Sequence, residues 1–242
     1  MKRKCNINTK WSPALAYVLG IIATDGNLSP DKRHINITSK DRSIVIQIKK
    51  ALKIKNIIGR KSREKFGDKK YYVLQFGDIN FYDFLLSIGL TPAKSKTISI
   101  IKIPQKFFYD FLRGCIDGDG NICVSYHPES KIPQLKLRLC SASNDFLVWI
   151  LKSIRKNTKI KGGWIYTDKK QLHTLSFGKT DSIKIFELIY YKGVEFFLKR
   201  KYDVALDICT GGEIGTRTCL RSKRSNPWRF KSSPVHKQTS ES

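Results

Sequence analysis

Two carboxylates, Asp25 and Asp119, each close an apolar run and are each followed by a glycine and an asparagine. The runs are Val18-Leu19-Gly20-Ile21-Ile22-Ala23-Thr24-Asp25-Gly26 and Leu112-Arg113-Gly114-Cys115-Ile116-Asp117-Gly118-Asp119-Gly120. Ser12-Pro13 precedes the first and Pro104 the second, and Pro is suited to the first turn of a helix. A helix C-terminus carries about half a negative charge, so an acid on the last turn is disfavoured by roughly 0.3–1 kcal/mol. Ala16, Gly20 and Thr24, and Gly114 and Gly118, fall about four apart and give each helix a smooth stripe. Two such helices packed in parallel bring both dipole ends and both carboxylates to one point. A divalent cation held through carboxylate oxygens, such as Mg²⁺, compensates that charge. For one copy alone, a buried helix with a glycine cap and a stray Asp is an equal reading. Repetition of the whole pattern favours the metal site.

The surrounding elements repeat as well. After Asp25, His34–Thr38 alternates as a strand with Ile35 and Ile37 on one face. Asp41 opens a helix bearing Ile44, Val45, Ile48 and Leu52, the basic stretch Arg60–Arg63 follows, and Tyr72–Phe76 is a strand. Asp78 caps a helix with Phe81, Phe84, Leu85 and Ile88 that stops at Gly89. In the second half, Asn121–Tyr126 and Gln134–Cys140 are strands, the latter with Leu135, Leu137 and Leu139 inward and Gln134, Lys136 and Arg138 outward. A helix from Asn144 presents Phe146, Leu147, Ile150, Leu151 and Ile154. Trp164–Tyr166 and Leu172–Phe177 form a hairpin, and a last helix spans about 181–191. Asp168-Lys169-Lys170 answers Asp68-Lys69-Lys70, and Phe177-Gly178 answers Phe76-Gly77. The expectation is an α+β fold, a pseudo-twofold duplicated αββαββα unit with two antiparallel sheets that form a saddle. One face of each sheet is covered by helices; the other displays Arg60, Lys61, Arg63, Gln75, Gln134, Lys136 and Arg138, donors suited to phosphates and base edges. The first half is assigned to 12–96, the second to 97–203, and a basic, disordered tail to 204–242.

Forty-six Lys and Arg against twenty Asp and Glu leave a net charge of +26, which points to a polyanionic partner, nucleic acid first. A membrane surface is disfavoured, because no basic amphipathic helix stands out and no apolar run spans a bilayer. The six cysteines show no zinc spacing, and Cys115 and Cys140 read as small core residues in a reducing compartment. The basic start does not read as a signal peptide, because Pro13 and polar residues separate it from the apolar run.

Both motif stretches resemble the LAGLIDADG motif, and residues 12–203 resemble a single-chain LAGLIDADG homing endonuclease with two motif copies. The second copy is close to the family pattern, and the first departs from it at Ala23. The resemblance implies a divalent metal at Asp25 and Asp119 with the following Gly26 and Gly120. It implies a basic active-site residue at Lys40, whose second-half counterpart is near Ala142. Lys199-Arg200-Lys201 is the segment available to supply that missing charge. Leu90–Thr97 resembles the family's Lys-Ser segment, which places Lys94 and Lys96, with Lys201, among nucleic-acid contacts. The expected function is cleavage of double-stranded DNA at a long, asymmetric site by a monomer, with Mg²⁺ or another divalent cation. No splice junction is seen at the C-terminus, so the resemblance is to a freestanding or intron-encoded enzyme, in the cytoplasm or an organellar matrix. Two alternatives stay open: an RNA maturase that acts on intron RNA, and a non-catalytic DNA-binding regulator of the same fold.

Overall fold

Helix α1, Pro13–Asp25, starts where Pro13 takes the first position and the Ser12 hydroxyl accepts from the Leu15 N–H at 3.1 Å. It runs straight into strand β1, Gly26–Leu28, without a loop, so Asp25 stands where helix becomes sheet. The first half continues with β2 (His34–Ser39), α2 (Arg42–Ala51), β3 (Ile58–Lys61), β4 (Tyr71–Gly77) and α3 (Ile79–Ile88). Asp78 caps α3 through the Phe81 N–H at 3.0 Å, and Gly89, at φ +103°, ends it in the left-handed conformation that glycine takes without strain. A 3₁₀ turn, Gln105–Phe107, then leads into α4 (Phe108–Gly118). Next come β5 (Gly120–Tyr126), β6 (Pro133–Ser141), α5 (Asn144–Asn157), β7 (Trp164–Thr167), β8 (His173–Phe177) and α6 (Lys179–Ile189). A seventh helix, α7 (Lys199–Thr210), has no first-half counterpart. This computed structural model describes residues 7–62, 68, 70–126, 129 and 133–210.

The four-stranded antiparallel sheets have the orders β1-β2-β4-β3 and β5-β6-β8-β7, so the duplicated α+β fold is present. Because strand side chains alternate, register divides each sheet into two faces. Ile35, Ile37, Leu74 and Phe76 in the first sheet, and Ile122, Leu135, Leu137, Leu139, Leu175 and Phe177 in the second, face the helices and are buried. They join residues of α1 and α4 in one apolar core that runs through both halves. Gln134, Lys136 and Arg138 alternate to the other face, as expected.

Two expectations need correction. Residues 204–210 belong to α7, so the helical part of the chain passes the boundary drawn at 203; the tail from 211 lies outside the described residues. Cys115 is fully buried, but Cys140 alternates to the open face, opposite Thr174. Among the described residues no helix is long and apolar enough to cross a membrane.

Candidate active site

The axes of α1 and α4 approach until backbone meets backbone. A Cβ on Gly20 would stand 2.1 Å from the Phe111 carbonyl oxygen, and one on Gly114 would stand 2.1 Å from that of Tyr17. Further along the same stripe, a Cβ on Gly118 would strike Thr24 Oγ1 at 2.1 Å and lie 3.3 Å from Asp25 Oδ2. Only glycine permits this approach, and the approach brings the two carboxylates together.

Asp25 is half-buried and Asp119 more open. Burial, reinforced by the neighbouring Asp119 charge, pushes Asp25 up to about 7. Desolvation also raises Asp119. Neither carboxylate accepts a hydrogen bond from another of the described residues. Two hard oxygen ligands, close enough to repel and otherwise unpaired, suit a divalent cation. Among the described residues no group of three or more His, Cys, Asp or Glu gathers at one point. That donor set matches Mg²⁺, which takes one or two carboxylates and completes its shell with water and phosphate oxygens.

The helix ends themselves are compensated by lysines. Lys94, 5% exposed, donates from Nζ to the Gly26 carbonyl at the end of α1. Lys201, also 5% exposed, donates to the carbonyls of Ile116, Asp117, Gly118 and Gly120 at 2.7, 2.9, 3.3 and 2.7 Å. Desolvation lowers both ammoniums to about 8 against the pull of the nearby Asp charges. A cation at a helix C-terminus is the favourable placement. This corrects one expectation: Lys94 and Lys201 are buried and do not lie on a surface for nucleic acid. Of the two glycines expected at the metal, Gly26 accepts from Lys94 and Gly120 from Lys201, each through a carbonyl oxygen that keeps a second lone pair. Beside Asp119 an open cleft of about 480 Å³ is lined by Gly118, Gly120, Asn121, Arg200 and Lys201 among others.

Lys40 stands elsewhere. It is exposed, its ammonium 5.6 Å from the centre of the Tyr71 ring, and the cations that act on Asp25 are Lys201 and Lys94. Register explains the position, because Ser39 pairs with Tyr72, which puts the next residue beside Tyr71 on the open face. Lys61 and Gln75 share that face, and Lys96 is exposed. Arg60 does not share it. On the edge strand it pairs with Tyr72 on the helix-side face, its guanidinium 5.4 Å from the centre of that ring. Consecutive residues on a strand point to opposite sides, so Arg60 and Lys61 cannot contribute to one surface. Arg63 lies outside the described residues.

The open faces carry residues that composition alone does not single out. Asn27, Asn36 and Gln75 form one row across the first sheet. Asn121, Arg138, Ser176 and Trp164 form a row across the second, and Tyr166 follows on the same face. Trp164 is 52% exposed and Tyr166 45%. Arg138 Nε is buried without a hydrogen-bond partner among the described residues, a donor that a ligand on this face can satisfy. Alternation along Trp164-Ile165-Tyr166 is the signal for the two rings.

This arrangement has known relatives. Residues 12–89 match the LAGLIDADG-like domain family. The fold of the full-length WhiA protein from Thermatoga maritima superposes with a TM-score of 0.51 at 16% identity over 87% of this chain. This chain spans 64% of that protein's length. I-DmoI, solved in complex with DNA and calcium, gives 0.53 at 17% identity over 80% of this chain and 97% of its own. The meganuclease I-SmaMI, bound to uncleavable DNA, gives 0.52 at 14% over 84% and 89%. No curated protein matches the chain. Residues 12–89 are thus a LAGLIDADG-like domain, and the fold repeats that domain's motif helix and sheet a second time within the chain.

Proposed function

We propose that the protein is a site-specific DNA endonuclease. The observation that carries this is the unpaired carboxylate pair Asp25 and Asp119, set between two sheets whose open faces are polar and basic. A pure binder gains nothing from two acids facing a polyanion. Asp25 and Asp119 would hold a divalent cation, which when bound supplies the Lewis acidity for hydrolysis of a phosphodiester by water. Lys94 and Lys201 hold the two helix ends, keep both carboxylates aimed at the same point, and add positive potential behind the phosphate. Duplex DNA lies across the two sheets, read by Asn27, Asn36, Gln75, Gln134 and Arg138 and held by Lys40, Lys61, Lys96 and Lys136. The two faces differ, so the target is asymmetric. One chain supplies both carboxylates, so a monomer is sufficient. The related I-DmoI and I-SmaMI structures are DNA complexes, in keeping with this reading.

A binding-only reading, as a maturase acting on intron RNA or as a DNA-binding regulator, draws on one observation. Exposed Trp164 and Tyr166 rings are suited to stacking on unpaired bases. One experiment separates the readings. The purified protein is incubated with a random duplex library in Mg²⁺, in EDTA, and as Asp25→Asn and Asp119→Asn variants. Metal-dependent cutting at an enriched site, lost in either variant, supports the endonuclease. Specific binding without cutting overturns it.

A further inference from the structure

The motif copies differ at one inner position, Ala23 in the first and Asp117 in the second, and the mechanism above leaves Asp117 unused. Asp117 is 1% exposed. Its Oδ2 accepts from the Tyr17 hydroxyl at 3.0 Å and from the Leu198 N–H at 2.7 Å, and its Oδ1 accepts from the Tyr190 hydroxyl at 2.9 Å. Leu198 directly precedes α7, and its carbonyl closes the first turn by accepting from the Lys201 N–H at 3.0 Å. The carboxylate of α4 therefore sits on the positive end of α7, where an N–H would otherwise be left without a partner. Lys201, on that first turn, reaches back to the last carbonyls of α4.

The first half solves the same problem differently. In motif register Tyr17 corresponds to Phe111 and Ala23 to Asp117, so a hydroxyl–carboxylate pair on one side of the helix interface is matched by two apolar residues on the other. Lys94 comes from a self-contained turn, with the Thr97 and Ile98 N–H groups bonding to its own carbonyl at 3.0 and 2.7 Å. No helix has to be fixed there, and no inner carboxylate is present.

We infer that Asp117 is a positioning residue for Lys201: by fixing the start of α7 it keeps the ammonium on the α4 terminus beside Asp119, a dependence the Asp25 side lacks. The labelling test below is independent of the endonuclease reading; only its strand-specific arm rests on that reading. The Tyr17→Phe, Asp117→Ala double variant installs the first half's own pair at the second position. Amine acylation read by mass spectrometry should then modify Lys201 at least tenfold faster than in the parent protein, with Lys94 unchanged as the internal measure of an intact fold. Asp117→Asn, which keeps an acceptor for the Leu198 N–H, should restore most of the protection. In duplex cleavage the double variant should nick one strand where the parent cuts both. A parent without cleavage would sink the endonuclease reading and leave the labelling result standing. Lys201 as protected in the double variant as in the parent, with Lys94 protected too, overturns the inference. If the double variant does not fold, Asp117→Asn decides: slow Lys201 modification with α7 amides exchanging as in the parent supports the inference, and rapid modification despite the retained acceptor overturns it.

Discussion

Gly20 and Gly114 meet across the interface of the two motif helices, where a Cβ on Gly114 would stand 3.0 Å from the Gly20 Cα. The obstructing atoms are backbone, which cannot rotate away. Gly20→Ala or Gly114→Ala should therefore cost at least about 2–3 kcal/mol, at the upper end for overpacking. Gly178→Ala, at a site with nothing within 4 Å, should change stability little. Thermal melts of the three variants check this: a drop of several degrees for the first two against about one for the third. Equal melting temperatures would mean that the helices do not pack this closely.

Much of that interface was legible in the sequence, because small residues at helical spacing have few other uses. The inward leucines of 134–139 were legible for a similar reason, since strict alternation has one burial solution. What failed was local chemistry decided by distant backbone. The run Arg60-Lys61 reads as one basic patch until strand register sends its members to opposite faces. Lys94 and Lys201 look like surface amines, and only the carbonyls at the ends of α1 and α4 explain their burial. Helix α7 has little apolar signature and draws its definition from partners far away: Asp117 at its start, and Asp41, which receives both ends of the Arg200 guanidinium at 2.8 and 3.1 Å.

Replacing either buried lysine should separate binding from cleavage. Lys94→Met and Lys201→Met keep bulk but leave helix-end carbonyls unsatisfied, a stability cost of about 1–3 kcal/mol each. Cleavage should fall by at least a hundredfold while affinity for target DNA changes less than threefold, because both ammoniums are bonded to helix-end carbonyls and only 5% of each residue is exposed. Exposed Lys61→Met should do the reverse, weakening binding and sparing the cleavage rate at saturation. Anisotropy titrations beside single-turnover kinetics measure both; a large loss of affinity in Lys94→Met would place that lysine on the DNA instead.

Trp164 and Tyr166 present two exposed rings on the edge strand of the second sheet. Removing both rings should weaken binding at least tenfold, since one base stacked on an aromatic contributes about 1–3 kcal/mol. The salt dependence should stay as in the parent, because no phosphate contact is lost. Lys136→Ala should lower the slope of log affinity against log salt by about one. Titrations at several salt concentrations distinguish these outcomes, and a changed slope in the double aromatic variant would contradict the stacking role.

The charge cluster at the helix ends predicts an unusual pH profile for the metal-free protein. Asp25 has a folded value of about 7 against 3.8 for the free group, so between those values the folded state binds more protons. Stability therefore falls as pH rises through that window. Lys94 and Lys201 have folded values of about 8 against 10.5, so above about 8 the unfolded state binds more protons and stability rises again. These three groups together place a trough between about pH 7 and 8. A divalent cation on Asp25 and Asp119 binds the ionised carboxylates, so its affinity should grow as pH rises through 7 and its stabilisation should fill the trough. Urea denaturation from pH 5 to 10, in EDTA and in excess Mg²⁺, tests both parts. The Asp25→Asn variant should lose the Asp25 share of the falling limb, leaving only what the raised Asp117 and Asp119 contribute, and should lose the Mg²⁺ effect with it. Loss of one without the other would show that the group which titrates is not the group which holds the cation.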